Sequence, residues 1–167
     1  MRKKNLPPKK ARLPARQDSE ENRSNAFNYS LKYLSYRARS VKEVYEYLVR
    51  KNFVEDTINS VLKKLIDLKF LNDEEFAKSW IESRQKYKGR SKFILKNELR
   101  LKGLSDDVIK PLLKEAQDDL ETARILFDKK KRILGKLPTE EFKKKMAGFL
   151  QRKGFSWEII SKLLKKN

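Results

Sequence analysis

The sequence predicts an all-α protein made of three tandem three-helix repeats, with a period of about 51 residues, in an elongated, curved arrangement. Three observations carry this. From about Ser24 onward apolar residues recur at spacings of three and four, the signature of helices with one buried face. No alternating strand pattern lasts, and only 5 glycines punctuate the chain. Finally, "VRKNFV" at 49–54, "RLKGLS" at 100–105 and "QRKGFS" at 151–156 recur twice at the same interval.

The N-terminal stretch, residues 1–23, holds three of the five prolines and few periodic apolar positions, and reads as a disordered basic tail. Repeat 1 is expected over 24–71, repeat 2 over 72–117 and repeat 3 over 118–167. The helices fall near 24–38, 40–51, 55–69, 73–88, 91–102, 106–116, 119–134, 140–152 and 157–166. Ser40 with Glu43, Asn72 with Glu75 and Asp118 with Glu121 fit capping boxes, in which two side chains satisfy free backbone N–H groups. Ser105, Thr139 and Ser156 are further N-cap candidates. Pro111 lies inside the sixth helix and should kink or shorten it.

Around the repeated anchors the apolar positions superpose: Val44, Leu95 and Met146; Leu48, Leu99 and Leu150; Phe53, Leu104 and Phe155; Ile58, Ile109 and Ile160. Units this small bury their apolar faces by stacking on neighbours. Gly103 and Gly154 follow the last turn of a helix and precede an apolar residue. That is the place of a left-handed C-terminal cap, and Asn52 takes it in the first repeat.

Charge bears on partners rather than fold. The net charge is +19, and residues 129–167 alone carry 13 Lys/Arg against 3 Asp/Glu. This points to nucleic acid, an acidic protein surface or an anionic membrane. The chain has no Cys and no His, which excludes disulfides, Cys/His zinc sites and His-based catalysis. It has no phosphate-cradling GxxxxGK[ST] loop, no membrane-length apolar run and no signal-peptide core, so a cytoplasmic protein that is not an enzyme and needs no cofactor is expected. Acids at 73–75, 106–107 and 118–119 sit in first helical turns, where the helix dipole favours them, and are not read as metal ligands.

The second repeat concentrates cations. Residues 84–102 hold Arg84, Lys86, Lys88, Arg90, Lys92, Lys96, Arg100 and Lys102 against Glu98 alone. Lys92, Lys96 and Arg100, spaced by four, form a stripe along one helix side, and like charges at that spacing cost helix stability. Their counterparts one repeat earlier, Val41, Tyr45 and Val49, look packed. The third repeat adds Lys143, Lys144, Lys145, Arg152 and Lys153. The candidate binding face is therefore Arg84, Lys88, Arg90, Lys92, Lys96, Arg100, Lys102, Lys143, Lys144, Arg152 and Lys153. Trp80, four residues after Phe76, reads as core, whereas Trp157 reads equally well as core or as a base-stacking surface.

"FLNDEEFAKSWIESR" (70–84), then "GRSKFILKNELRLKGLS" (89–105), closed by "FLQRKGFSWEII" (149–160), resembles the RecX family of bacterial recombinase regulators over about residues 26–166. The resemblance implies three three-helix repeats that lie in the groove of the RecA filament on single-stranded DNA. It implies that the chain modulates, and mostly inhibits, the filament's ATPase, recombinase and coprotease activities. The implied partners are the RecA filament and DNA, single-stranded first and double-stranded second, with no membrane and a monomeric chain. Two departures stand out: the first repeat has "EV" and "KNF" where the family favours Glu-Leu and Gly-Phe, and the basic tail lies outside the pattern. The residues alone leave a second reading open, a sequence-independent basic DNA-binding module that acts by competing for DNA.

Overall fold

The structure, a computed structural model, describes residues 17–165. Residues 1–16, most of the expected tail, lie outside the described residues. The described residues form nine α-helices and one π-helical segment, in two compact units that meet in sequence between Leu71 and Asn72.

The first unit comprises α1 (Glu20–Ser35), α2 (Val41–Arg50) and α3 (Glu55–Asp67). Helix α1 starts four residues before the sequence expectation, and this corrects the tail reading for residues 17–23. Ser19 caps the helix by accepting from the Asn22 N–H at 3.1 Å. Asp18, paired with Arg23, also accepts from the Thr57 hydroxyl of α3 at 2.7 Å. Thr57 is fully buried, so this bond ties the chain entry to the core. The capping box of Ser40 and Glu43 is formed, both bonds at 3.3 Å. Ala26, Val44, Leu48, Phe53, Ile58, Val61, Leu62, Leu65 and Leu71 make the core.

The second unit comprises α4 (Asp73–Ser83), α5 (Lys92–Leu101), α6 (Asp106–Glu115), α7 (Asp119–Leu134), α8 (Thr139–Arg152) and α9 (Trp157–Lys165). The expected helix 73–88 changes character at Arg84, where a π-helical segment runs to Lys88. Asn72, Asp118 and Ser156 cap α4, α7 and α9, but at Asn72 and Asp118 the return bond of the expected capping box, from Glu75 and Glu121, is not formed among the described residues. Ser105 occupies the cap position of α6 but makes no side-chain cap bond, and Pro138, not Thr139, precedes α8. Ser91 caps α5, accepting from Ile94 at 3.3 Å. Helix α6 contains Pro111 and has 10 residues where α3 has 13, in line with the expected shortening. Two core clusters result, one around Phe76, Leu95, Leu99 and Ile109, the other around Phe127, Met146, Leu150 and Ile160.

The repeated anchor is the same hydrogen-bonded turn three times. Phe53, Leu104 and Phe155 donate their N–H groups to Leu48, Leu99 and Leu150 at 3.2–3.3 Å. Asn52, Gly103 and Gly154 donate to Val49, Arg100 and Gln151 at 2.9 Å. These are the two bonds of a Schellman cap, and they satisfy carbonyls that the helix end leaves open. The cap residue must be left-handed, and φ is +64° at Asn52, +91° at Gly103 and +90° at Gly154. Phe53, Leu104 and Phe155 are buried against the fully buried leucines Leu48, Leu99 and Leu150. The sequence reading of these positions as helix end plus apolar plug is correct.

Candidate functional site

Within the second unit, most of the cations picked from sequence have structural partners. Glu98 gathers three groups. Trp80 donates its indole N–H to Glu98 Oε2 at 2.8 Å, and the Arg84 and Arg90 guanidinium groups approach the same carboxylate at 3.2 and 3.8 Å. Arg84 lies over the Trp80 ring at 4.1 Å, and Lys102 at 5.2 Å. Trp80 is therefore half-buried and polar-anchored rather than plain core, although it touches Phe76 with ring centroids 5.5 Å apart.

The α5 stripe is also engaged. Arg100 forms a two-pronged bond to Asp106 at 2.7 and 2.6 Å, and Lys96 reaches the same carboxylate at 3.6 Å. The Asp106 carboxyl is pulled down to about 2, chiefly by the hydrogen bond from Arg100. Lys92 donates its backbone N–H to Asp119 at 2.9 Å. Burial raises the Asp119 carboxyl, and that bond works against the rise. The stripe is thus a half-neutralised surface, not a row of unopposed charge. Its first-repeat counterparts are less packed than expected: Val41 and Tyr45 are half-buried, and Val49 is 41% exposed.

Lys153 and Arg90 belong to a joint between the second and third repeats. Ser91 donates its N–H to the Lys153 carbonyl at 3.1 Å, and Arg90 donates to the Arg152 carbonyl at 3.2 Å. Lys153 in turn donates its ammonium to the Lys88 carbonyl at 2.6 Å, and burial lowers its pKa. Gly154 packs so closely here that a Cβ would stand 2.5 Å from Ile94 Cγ1, and closer still to Ser91 Oγ. The C-terminal carbonyls of α8 are thereby satisfied by the residues that start α5.

The third repeat keeps more open charge. Lys143 pairs with Glu140 at 3.1 Å and Lys145 with Glu141 at 2.8 Å, both on the exposed side of α8. Lys144 and Arg152 are exposed and make no ion pair among the described residues. A groove of about 450 Å³ between α7 and α8 is lined by Lys130, Lys144, Lys145, Arg152 and Phe149 with Glu141. A second groove, about 680 Å³ between α8 and α9, is lined by Lys143, Lys144, Ala147, Trp157, Leu164 and Lys165 among others. Trp157 is 68% exposed, so it is not a core residue. Lys88, Lys102, Lys143, Lys144 and Arg152 lie in the same compact unit as the cations of α5.

Asp106 and Asp119 escaped sequence reading as partners because both were explained as first-turn acids. The available signal was that Asp106 follows Arg100 by six residues across a Schellman turn, which reverses the chain. Among the described residues no cluster of acids could hold a metal ion, and no helix is long and apolar enough to cross a membrane.

Three family models match in tandem: the first three-helix domain of RecX over residues 26–65, the second over 72–113 and the third over 117–164. The regulatory protein RecX of Bacillus subtilis (strain 168) is 39% identical over 137 residues, which is 81% of this chain and 52% of that protein. Its counterpart in Bacillus pumilus (strain SAFR-032) is 38% identical over 142 residues, 84% of this chain and 54% of that one. The chain thus spans about half the length of these curated relatives. That of Mycobacterium sp. (strain KMS) is 36% identical over 148 residues, covering 83% of this chain and 80% of the relative. The crystal structure of RecX from Lactobacillus salivarius superposes with a TM-score of 0.75 at 28% identity, over 87% of this chain and 96% of that one. With all three domains present in order and relatives this similar, the chain belongs to the RecX family of regulatory proteins.

Proposed function

We propose that this chain binds the RecA filament on single-stranded DNA and modulates it, mostly by inhibiting its ATPase, recombinase and coprotease activities while lying in the filament groove. The observation that carries the reading is the ordered set of three RecX domains across residues 26–164. The physical support is a modular basic body. Repeats of one scaffold present several weak contacts to neighbouring filament subunits, and such contacts add through effective concentration. The net charge of +19 draws the chain to a polyanionic filament. The binding face proposed is Lys88, Lys143, Lys144 and Arg152, which are exposed, together with the half-buried Lys92 and Lys102. Arg84, Arg90, Lys96, Arg100 and Lys153 shape it through their internal partners. The chain acts in the cytoplasm, where RecA and DNA are, and performs no catalysis of its own.

The test is RecA ATPase on preformed filaments. Inhibition at substoichiometric protein, together with weak binding to naked single strands at physiological salt, supports the regulator. Inhibition that disappears on adding excess DNA favours a module that merely competes for DNA. Lys144→Glu with Arg152→Glu should weaken inhibition severalfold while far-UV circular dichroism stays unchanged. Undiminished inhibition by that variant removes these residues from the face.

A further inference from the structure

The 51-residue period allows each surface position to be compared across repeats. In the second repeat, Lys96, Arg100 and Asp106 close the surface between its last two helices with an ion-pair cluster. One period later those positions are Ala147, Gln151 and Trp157. The small side chain removes the lysine and the indole replaces the acid, so the equivalent place between α8 and α9 is an open groove floored by Ala147 and Leu164. Trp157 stands at its edge with most of its surface in water. What sets this indole apart is its setting: a flat apolar face with a polar rim at the edge of a groove lined by lysines. The contrast with Trp80, held by Glu98 and covered by Arg84, is direct.

The surroundings specify that partner's charge. Lys143, Lys144 and Lys165 line the groove, and the acid among its lining residues, Glu140, is occupied by Lys143 at 3.1 Å. A flat aromatic face beside lysines spaced along one edge matches a single strand of nucleic acid: a base stacks on the ring and the flanking phosphates meet the ammonium groups. We infer that the Trp157 groove of the third repeat is a stacking site for single-stranded DNA, with Lys144 and Lys165 holding the backbone. This deepens the regulatory reading above and assigns the DNA contact of the complex to the third repeat.

Because the chain has two tryptophans, one half-buried and one exposed, single-tryptophan variants separate their fluorescence. In the Trp80→Phe variant of the full chain, a short oligo(dT) at low salt should quench the emission saturably. In Trp157→Phe the remaining emission should be unaffected. Trp157→Ala should weaken oligo(dT) binding, read by anisotropy of a labelled strand, by roughly 5- to 150-fold, the range set by base–aromatic stacking. Lys144→Gln with Lys165→Gln should reduce the salt slope by about 1.4, or about 0.7 for each lost phosphate contact on a single strand. Absence of quenching in Trp80→Phe overturns the site, and so does equal quenching by poly-glutamate, which would assign the groove to an acidic protein segment. The experiment contains no RecA. A negative result with RecA ATPase inhibition intact therefore removes the stacking site alone, and a chain that binds oligo(dT) but leaves RecA untouched removes the regulatory reading alone.

Discussion

Gly154→Ala should be among the most damaging single-methyl changes in the chain. Two costs combine. The residue sits at φ +90°, where an L side chain is strained by about 1–2 kcal/mol. The added Cβ would also lie 2.5 Å from Ile94 Cγ1 and 2.8 Å from Ile94 Cδ1, and overpacking of that kind costs about 1–3 kcal/mol. The total is about 2–5 kcal/mol, a large share of a domain's stability. Both tryptophans, Trp80 and Trp157, lie in the unit beginning at Asn72, so urea unfolding followed by tryptophan fluorescence reads that unit without the first. At a slope of about 2 kcal/mol per M the midpoint should fall by about 1–2.5 M. A double-mutant cycle isolates the clash. With Ile94→Ala in the background, Gly154→Ala should cost measurably less than in the parent chain, what remains being the backbone strain of about 1–2 kcal/mol and the approach to Ser91 Oγ. A single-mutant cost under about 0.5 kcal/mol, the range of an ordinary surface change, would refute the claim that the repeat joint closes on Gly154.

Three further outcomes follow from the caps and the charges. Asn52→Gly should stabilise the first unit by a few tenths to about 1 kcal/mol, and Lys69→Gly likewise, since both residues hold positive φ (+64° and +59°); tyrosine fluorescence of a tryptophan-free variant measures this. Leu150→Ala, at the fully buried partner of the third Schellman turn, should cost about 2–5 kcal/mol in the same urea assay as Gly154→Ala. Asp106→Asn should strengthen DNA binding and steepen its salt dependence, because Lys96 and Arg100 lose the carboxylate they share. The same pair sets a pH window. With the Asp106 carboxyl lowered from 3.8 to about 2, its contribution to stability is complete above 3.8 and is lost as the pH falls toward 2, which a carboxyl-carbon NMR titration reads directly.

The parts of the fold that were legible in the sequence are local ones. A Schellman cap needs a residue tolerant of positive φ, an apolar residue after it and a leucine five residues before that apolar residue, all within one short window. Period and caps therefore followed from spacing alone. The start of α1 did not, because Asp18 is held by Thr57, 39 residues away, and amphipathic spacing is blind to such a bond. The cations were legible as composition, and their partners were not. Arg84 and Glu98, or Lys92 and Asp119, meet only after the helices pack, and a stripe counted along one helix takes no account of acids delivered by the next. The partner of Lys153 was hidden for the same reason: a lysine before a helix cap is ordinarily a solvated cation favoured by the dipole, but here its ammonium is taken up by a carbonyl 65 residues away.

Repetition turns this into a testable rule about how one scaffold acquires different surfaces. The buried positions of the period hold valine, leucine, isoleucine, phenylalanine or methionine in every repeat, whereas positions 96, 100 and 106 change to alanine, glutamine and tryptophan at 147, 151 and 157. If the scaffold and its surface are independent, the second repeat's cluster should be transferable. Gln151→Arg with Trp157→Asp should rebuild the two-pronged pair across the third Schellman turn, since the turn bonds have the same pattern and lengths in both repeats. The surface pair replaces an exposed indole and exposed amide, so the urea midpoint should move little. The single-strand affinity should fall as far as in Trp157→Ala, because the ring is gone and an acid now opposes Lys144. A variant that keeps wild-type affinity would mean that charge density alone, and not the exposed ring, recruits the strand; a variant that loses the midpoint would mean that Trp157 is held by the fold despite its exposure.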